Sequence, residues 1–63
     1  MKHRYEICKK NSRGGFDVVE VIRAGSPSNA ETKFRTQRVK PAAWTYYVQY
    51  QGVIKHTFKI SYK

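Results

Sequence analysis

The chain has 63 residues, with thirteen Lys and Arg against four Asp and Glu and a formal net charge of +9. At this length a chain buries only about 60% of its unfolded surface, which leaves room for one core and makes an enclosed catalytic pocket hard to build; one non-enzymatic domain is expected. A single cysteine excludes an intramolecular disulfide, and Cys8, His3 and His56 make no ligand set for a structural zinc, so neither metal nor cofactor is expected.

The charge is uneven, since all four acids fall within residues 1–31, while residues 32–63 hold seven bases and no acid. Such asymmetry implies a basic face and a polyanionic partner. The opening MKHRYEICKK lacks the apolar run of a signal peptide, and no stretch approaches the roughly 20 apolar residues of a membrane span. A cytoplasmic protein with no membrane partner is the expectation, in keeping with the missing disulfide.

The first element is HRYEICK, where Tyr5 and Ile7 alternate with Arg4, Glu6 and Cys8, the pattern of a half-buried strand. KKNSRGG closes it with turn residues, and Lys9, Lys10 and Arg13 crowd the tip, which predicts a solvated, mobile arm able to reach phosphates. FDVVEVIR is β-branched and short, and predicts a second strand paired with the first.

After Gly25, the segment SPSNAETKFRTQR carries a helix start: Ser26 as N-cap, Pro27 in the first turn, then Ala30 and Phe34 one turn apart. Glu31 early and Lys33, Arg35 and Arg38 late suit the helix dipole, and Lys40-Pro41 marks the predicted end. Two apolar residues make a narrow stripe. This helix is expected to need a sheet beneath it, because an isolated helix this short is marginal.

The closing WTYYVQYQGVIKHTFKISYK reads as a second hairpin. A three-residue loop of Tyr50, Gln51 and Gly52 opposes Val48 to Ile54, Tyr46 to His56 and Trp44 to Phe58, which gathers the large apolar side chains on one face. A two-residue Gln51-Gly52 loop would mix the faces, so the three-residue loop is preferred. The outer face then shows Thr45, Tyr47 and Gln49 beside Val53, Lys55, Thr57, Lys59 and Lys63.

The expected fold class is α+β, in the order β-β-α-β-β, with one helix on one face of an antiparallel sheet. Its predicted core is Tyr5, Ile7, Phe34, Trp44, Val48, Ile54, Phe58 and Ile60. So small a core is marginal, and a homodimer through edge strands, or a fold completed by its partner, fits that margin.

Catalytic chemistry is sparse. Gly14-Gly15 reads as a turn and lacks the Lys-Ser/Thr of a phosphate loop; the acids are scattered, with Glu6 and Glu20 expected opposite each other or beside bases. Cys8 reads as a packing residue, His3 as solvated, and His56 as a hydrogen-bonded histidine on the apolar face opposite Tyr46.

The run VEVIRAGSPSNAETKFR, with its apolar strand, Ala24, capping Ser26, Ala30 and Phe34, resembles very small domains of the β-β-α-β type. It is similar to the arrangement in the archaeal ribosomal protein LX and in a small coliphage inhibitor of host RNA polymerase. The first likeness implies binding to ribosomal RNA, the second docking on a polymerase, and neither carries a functional residue onto a position of this chain.

The residues themselves imply a nucleic-acid-binding module, for DNA or RNA. Lys33, Arg35, Arg38, Lys40, Lys55 and Lys59 are the expected phosphate contacts, Tyr47 the stacking platform, and Gln49 or Thr57 the groups that reach base edges. The rival expectation is a small protein-binding effector, phage-encoded or accessory in type, docking on an acidic surface of a machine such as RNA polymerase or the ribosome.

Overall fold

Period-two alternation makes a strand where the inward side chains find a cover, and in this chain the cover is the helix. A computed structural model describes residues 2–62, with β1 (His3–Lys10), β2 (Phe16–Ala24), α1 (Pro27–Arg35), β3 (Thr45–Tyr50) and β4 (Val53–Lys59). This is the expected β-β-α-β-β order. The strands form one antiparallel sheet in the order β2-β1-β3-β4, so β1 and β3 are central and the two hairpins join where Ile7 pairs with Val48 and Cys8 with Tyr47. No described helix is long and apolar enough to cross a membrane.

The core lies between α1 and one face of the sheet. Tyr5, Ile7, Ile22, Ala24, Tyr46, Val48, Phe58 and Ile60 meet Ala30 and Phe34 there. Phe34 sits edge-on to Tyr46, with ring centres 4.8 Å apart, and Tyr46 stacks on Phe58 at 5.5 Å. Two expected members are missing. Trp44 is 49% exposed and Ile54 40% exposed, while Tyr46, Ile22 and the two alanines fill the space.

The tip of the first hairpin is tied down by Asn11, where a mobile arm was expected. Its side-chain oxygen accepts from the Arg13 and Gly15 amides at 2.9 Å each, its backbone N–H donates to Gly15, and its Nδ2 donates to Asp17. Gly14 takes φ +84, a value that L side chains rarely adopt. Further along, Ile7 pairs with Glu20 and Cys8 with Val18, which leaves Val19 as the extra residue of a β-bulge.

The helix starts as expected: the Ser26 hydroxyl accepts from the Asn29 amide at 3.2 Å, and Pro27 needs no intrahelical N–H. It ends at Arg35, well before Lys40-Pro41. Thr36 leaves helical geometry and its hydroxyl donates to the Thr32 carbonyl, while the Gln37 amide donates to Glu20 on β2. The chain turns from the helix toward the sheet at this point, and Arg38 and Lys40 fall in the following loop.

The second hairpin overturns the expected register. Gln51 and Gly52 both have positive φ, at 50 and 79, and form a two-residue turn that pairs Tyr50 with Val53 and Gln49 with Ile54. Register then shifts across Lys55, so that Val48 opposes His56 and Tyr46 opposes Phe58. The bulge resolves the conflict that argued against a two-residue turn. One extra residue returns the apolar side chains of β4 to the helix side beyond it, and leaves Ile54 on the other face.

Candidate nucleic-acid interface

Paired residues of neighbouring strands share a face, so the register maps the side of the sheet that α1 leaves bare. Val18, Cys8, Tyr47 and Thr57 form one row across all four strands, and Val21, Glu6, Gln49 and Ile54 form the next. Val18 and Val21 are exposed, whereas Cys8 is covered by its neighbours. Beyond the first row Lys10 pairs with Phe16, and Lys59 with Thr45; beyond the second Arg4 pairs with Arg23. The bare face therefore mixes apolar, aromatic and polar side chains in the middle, Glu6 among them, and carries cations at both ends.

At the Lys10 end, Lys9, Lys10, Trp44, Thr45 and Tyr47 line an open recess of about 460 Å³. Phe16 stands edge-on to Tyr47 at 5.1 Å, while Lys9, which pairs with the inward-facing Tyr46, carries its ammonium 4.5 Å from the centre of the Trp44 ring on the helix side of the recess. No acid lines the recess. Asp17, which pairs with Lys9, takes the Asn11 side-chain amide on its carboxylate. At the opposite end, Glu6 is paired with Arg4 at 3.5 Å.

The expected phosphate contacts do not converge. Tyr47 and Lys59 stand on the bare face. Lys55 is the bulge residue of β4 and is exposed. Lys33 and Arg35 ride on α1, over the other face, and both reach backbone carbonyls: Lys33 Nζ donates to Arg23 at 2.8 Å, and Arg35 Nη2 to Lys59 at 2.8 Å. Arg35 also donates to Glu31 and lies over the Phe58 ring. Arg38 and Lys40 occupy an exposed loop, anchored by Gln37 on one side and by the Tyr46 and Tyr62 hydroxyls, which donate to Ala42 and Pro41, on the other. Lys63 lies outside the described residues.

Phe16 and Trp44 were not among the expected site residues, and Lys10 was expected only on the phosphate-reaching tip of the first hairpin. Their meeting with Tyr47 depends on the pairing of β1 with β3, a contact between distant parts of the chain that no local pattern announces. Trp44 was placed in the core because the three-residue loop opposed it to Phe58; in the structure Tyr46 holds that position.

Among the described residues, the surroundings of three groups move them from their ordinary range. Burial pushes the Cys8 thiol up, with the Glu6 charge adding to it, so Cys8 stays a neutral packing residue. Burial likewise raises the Tyr46 phenol. At Glu31, burial alone would raise the carboxyl, but hydrogen bonds from His56 and Arg35 and their charges outweigh it and hold the group below its usual range. Among the described residues no three of His, Cys, Asp or Glu gather into a potential metal site.

Compared with protein families, curated proteins and solved structures, the chain matches none. The likeness of the run VEVIRAGSPSNAETKFR to the ribosomal and phage domains is one of local strand, cap and helix pattern.

Proposed function

We propose that the protein is a non-enzymatic nucleic-acid-binding module that captures phosphates electrostatically and stacks a base on Tyr47. The reading rests on one juxtaposition: on the face that α1 leaves bare, Tyr47 stands one row in from the paired Thr45 and Lys59 and shares with Lys10 a recess lined by no acid. An aromatic ring with flanking ammonium groups suits a base and its backbone together, since stacking tolerates any base and each neutralised phosphate releases counterions.

The test is a titration of the chain with labelled single-stranded DNA, RNA and duplex at several salt concentrations, repeated with Lys10→Ala/Lys59→Ala. Saturable binding whose salt slope shrinks in the double variant supports the module. A slope unchanged by the double variant, or no saturable binding to any of the polymers, overturns it.

A second reading, a protein-binding effector, is favoured by Val18, Val19 and Val21, exposed along the edge strand β2 where an extended segment can add to the sheet. Capture from lysate with and without nuclease separates the two. A stoichiometric protein retained after nuclease, in the absence of oligonucleotide binding, favours the effector.

A further inference from the structure

We infer that the bare face takes single-stranded nucleic acid in preference to duplex, laid along the strands from the Lys10 and Lys59 end to the Arg4 and Arg23 end; this rests on the reading above. Width is the first argument. Four strands at about 4.8 Å spacing measure roughly 14 Å across before side chains are added, whereas the major groove is about 12 Å wide and admits a helix or a two-stranded ribbon. The four-stranded face as a whole therefore does not fit into the groove, and a duplex lying across it meets it through phosphates.

The second argument is the order of chemistry along the face. Its middle presents Val18, Val21, Tyr47 and Ile54 together with the uncharged polar Gln49 and Thr57; its carboxylate, Glu6, is paired with Arg4, and Lys55 is exposed next to Ile54 on the edge strand. A duplex would press its phosphates on a stretch of valines, Tyr47, Ile54 and a carboxylate, with a cation only at the β4 edge, and strip their water for little in exchange. Splayed bases, by contrast, offer apolar faces to it, and Tyr47 supplies a ring to stack on.

Length is the third. The six residue steps from Arg4 to Lys10 span about 20 Å of strand, so cations at the two ends hold the backbone on either side of a short run of stacked bases. Arg23, at the far end from the recess, thereby becomes a phosphate contact of the same site, with Arg4 beside it shared between Glu6 and the phosphate.

The experiment uses the full chain, a fluorescein-labelled oligothymidylate of about 12 nucleotides, and a DNA duplex of the same length at the same salt. The single strand should bind at least about tenfold more tightly than the duplex. Tyr47→Ala should weaken single-strand binding about tenfold and leave duplex binding unchanged, while Tyr47→Phe, which keeps the ring, should retain the affinity. Arg4→Ala/Arg23→Ala should reduce the single-strand salt slope by about 0.7 per lost contact. Duplex binding as tight as single-strand binding, or indifference to both Tyr47→Ala and Arg4→Ala/Arg23→Ala, overturns the inference while leaving the broader module intact. Failure to bind either polymer defeats the module itself. Equal affinity for polyglutamate, an acidic polymer without bases, also overturns the inference by showing that charge alone is read.

Discussion

Glu31 Oε1 lies 2.5 Å from His56 Nε2, a bond that ties α1 to β4 at the rim of the core. The other carboxylate oxygen takes Arg35 Nε at 2.5 Å, and Arg35 in turn donates to the Lys59 carbonyl. The Ile60 amide bonds to the Trp44 carbonyl, so the paired Thr45 and Lys59 lie at a position where the Lys59 carbonyl points to the free edge of the sheet. One short helix therefore fastens itself to the edge strand through a chain of three side chains.

Because the folded Glu31 carboxyl sits below its ordinary value of 4.5, its contribution to stability is complete above that value and is lost as pH falls through the folded pKa. Urea unfolding followed by Trp44 fluorescence should show stability declining below about pH 4.5, with Glu31→Gln flattening that decline and costing about 1 kcal/mol near neutrality. An identical acid profile in the variant would mean that Glu31 is not clasped in solution.

Arg35 and Arg38 look alike in sequence and should behave differently. Arg35→Ala removes a bond to a backbone carbonyl, the Glu31 pair and the contact with Phe58, and is expected to cost about 1 kcal/mol. Arg38→Ala, on an exposed loop, should leave stability within about 0.5 kcal/mol of the parent. Chemical denaturation of the two variants side by side checks this, and equal losses would contradict the clasp.

The second turn is sub-optimal at its first position, since Gln51 has a positive φ without being Gly or Asn. Gln51→Asn should raise stability by about 0.5 kcal/mol, and Gly52→Ala should lower it by about 1 to 2 kcal/mol. Midpoints of thermal or urea unfolding read both. A Gln51→Asn variant with no gain in stability would instead favour the three-residue loop, in which Gly52 alone is left-handed.

Trp44, half-exposed beside Lys9 and Lys10, should be quenched by both acrylamide and iodide. The anionic quencher should work disproportionately well in the parent, and Lys9→Ala/Lys10→Ala should lower the iodide effect while leaving acrylamide nearly unchanged, because the lysines concentrate anions locally. A tryptophan shielded from both quenchers would place it in the core after all.

Local chemistry made much of this fold legible. The alternation of Tyr5 and Ile7, the Ser26 cap with Pro27 behind it, and the spacing of Ala30 and Phe34 each depend on neighbours within about one turn or one strand. The site was legible in part: Tyr47 and Lys59 stand on the bare face as expected, and Lys33, Arg35, Arg38 and Lys40 do not join them. Nothing local distinguishes Arg35, which holds a carbonyl, from Arg38, which holds none among the described contacts.

By itself the sequence determined the element order, the helix start, the basic second half and most of the inward positions, because propensity, capping and periodicity act over short distances. Tertiary structure decided the rest: that β1 pairs with β3, that Val19 and Lys55 are the bulge residues, that the helix stops at Arg35, and that Tyr46 rather than Trp44 opposes Phe58. Each of these depends on burying a whole face at once. A single inserted residue reverses every side chain beyond it, so register is chosen by the sum of contacts across four strands and a helix, which no window along the chain contains.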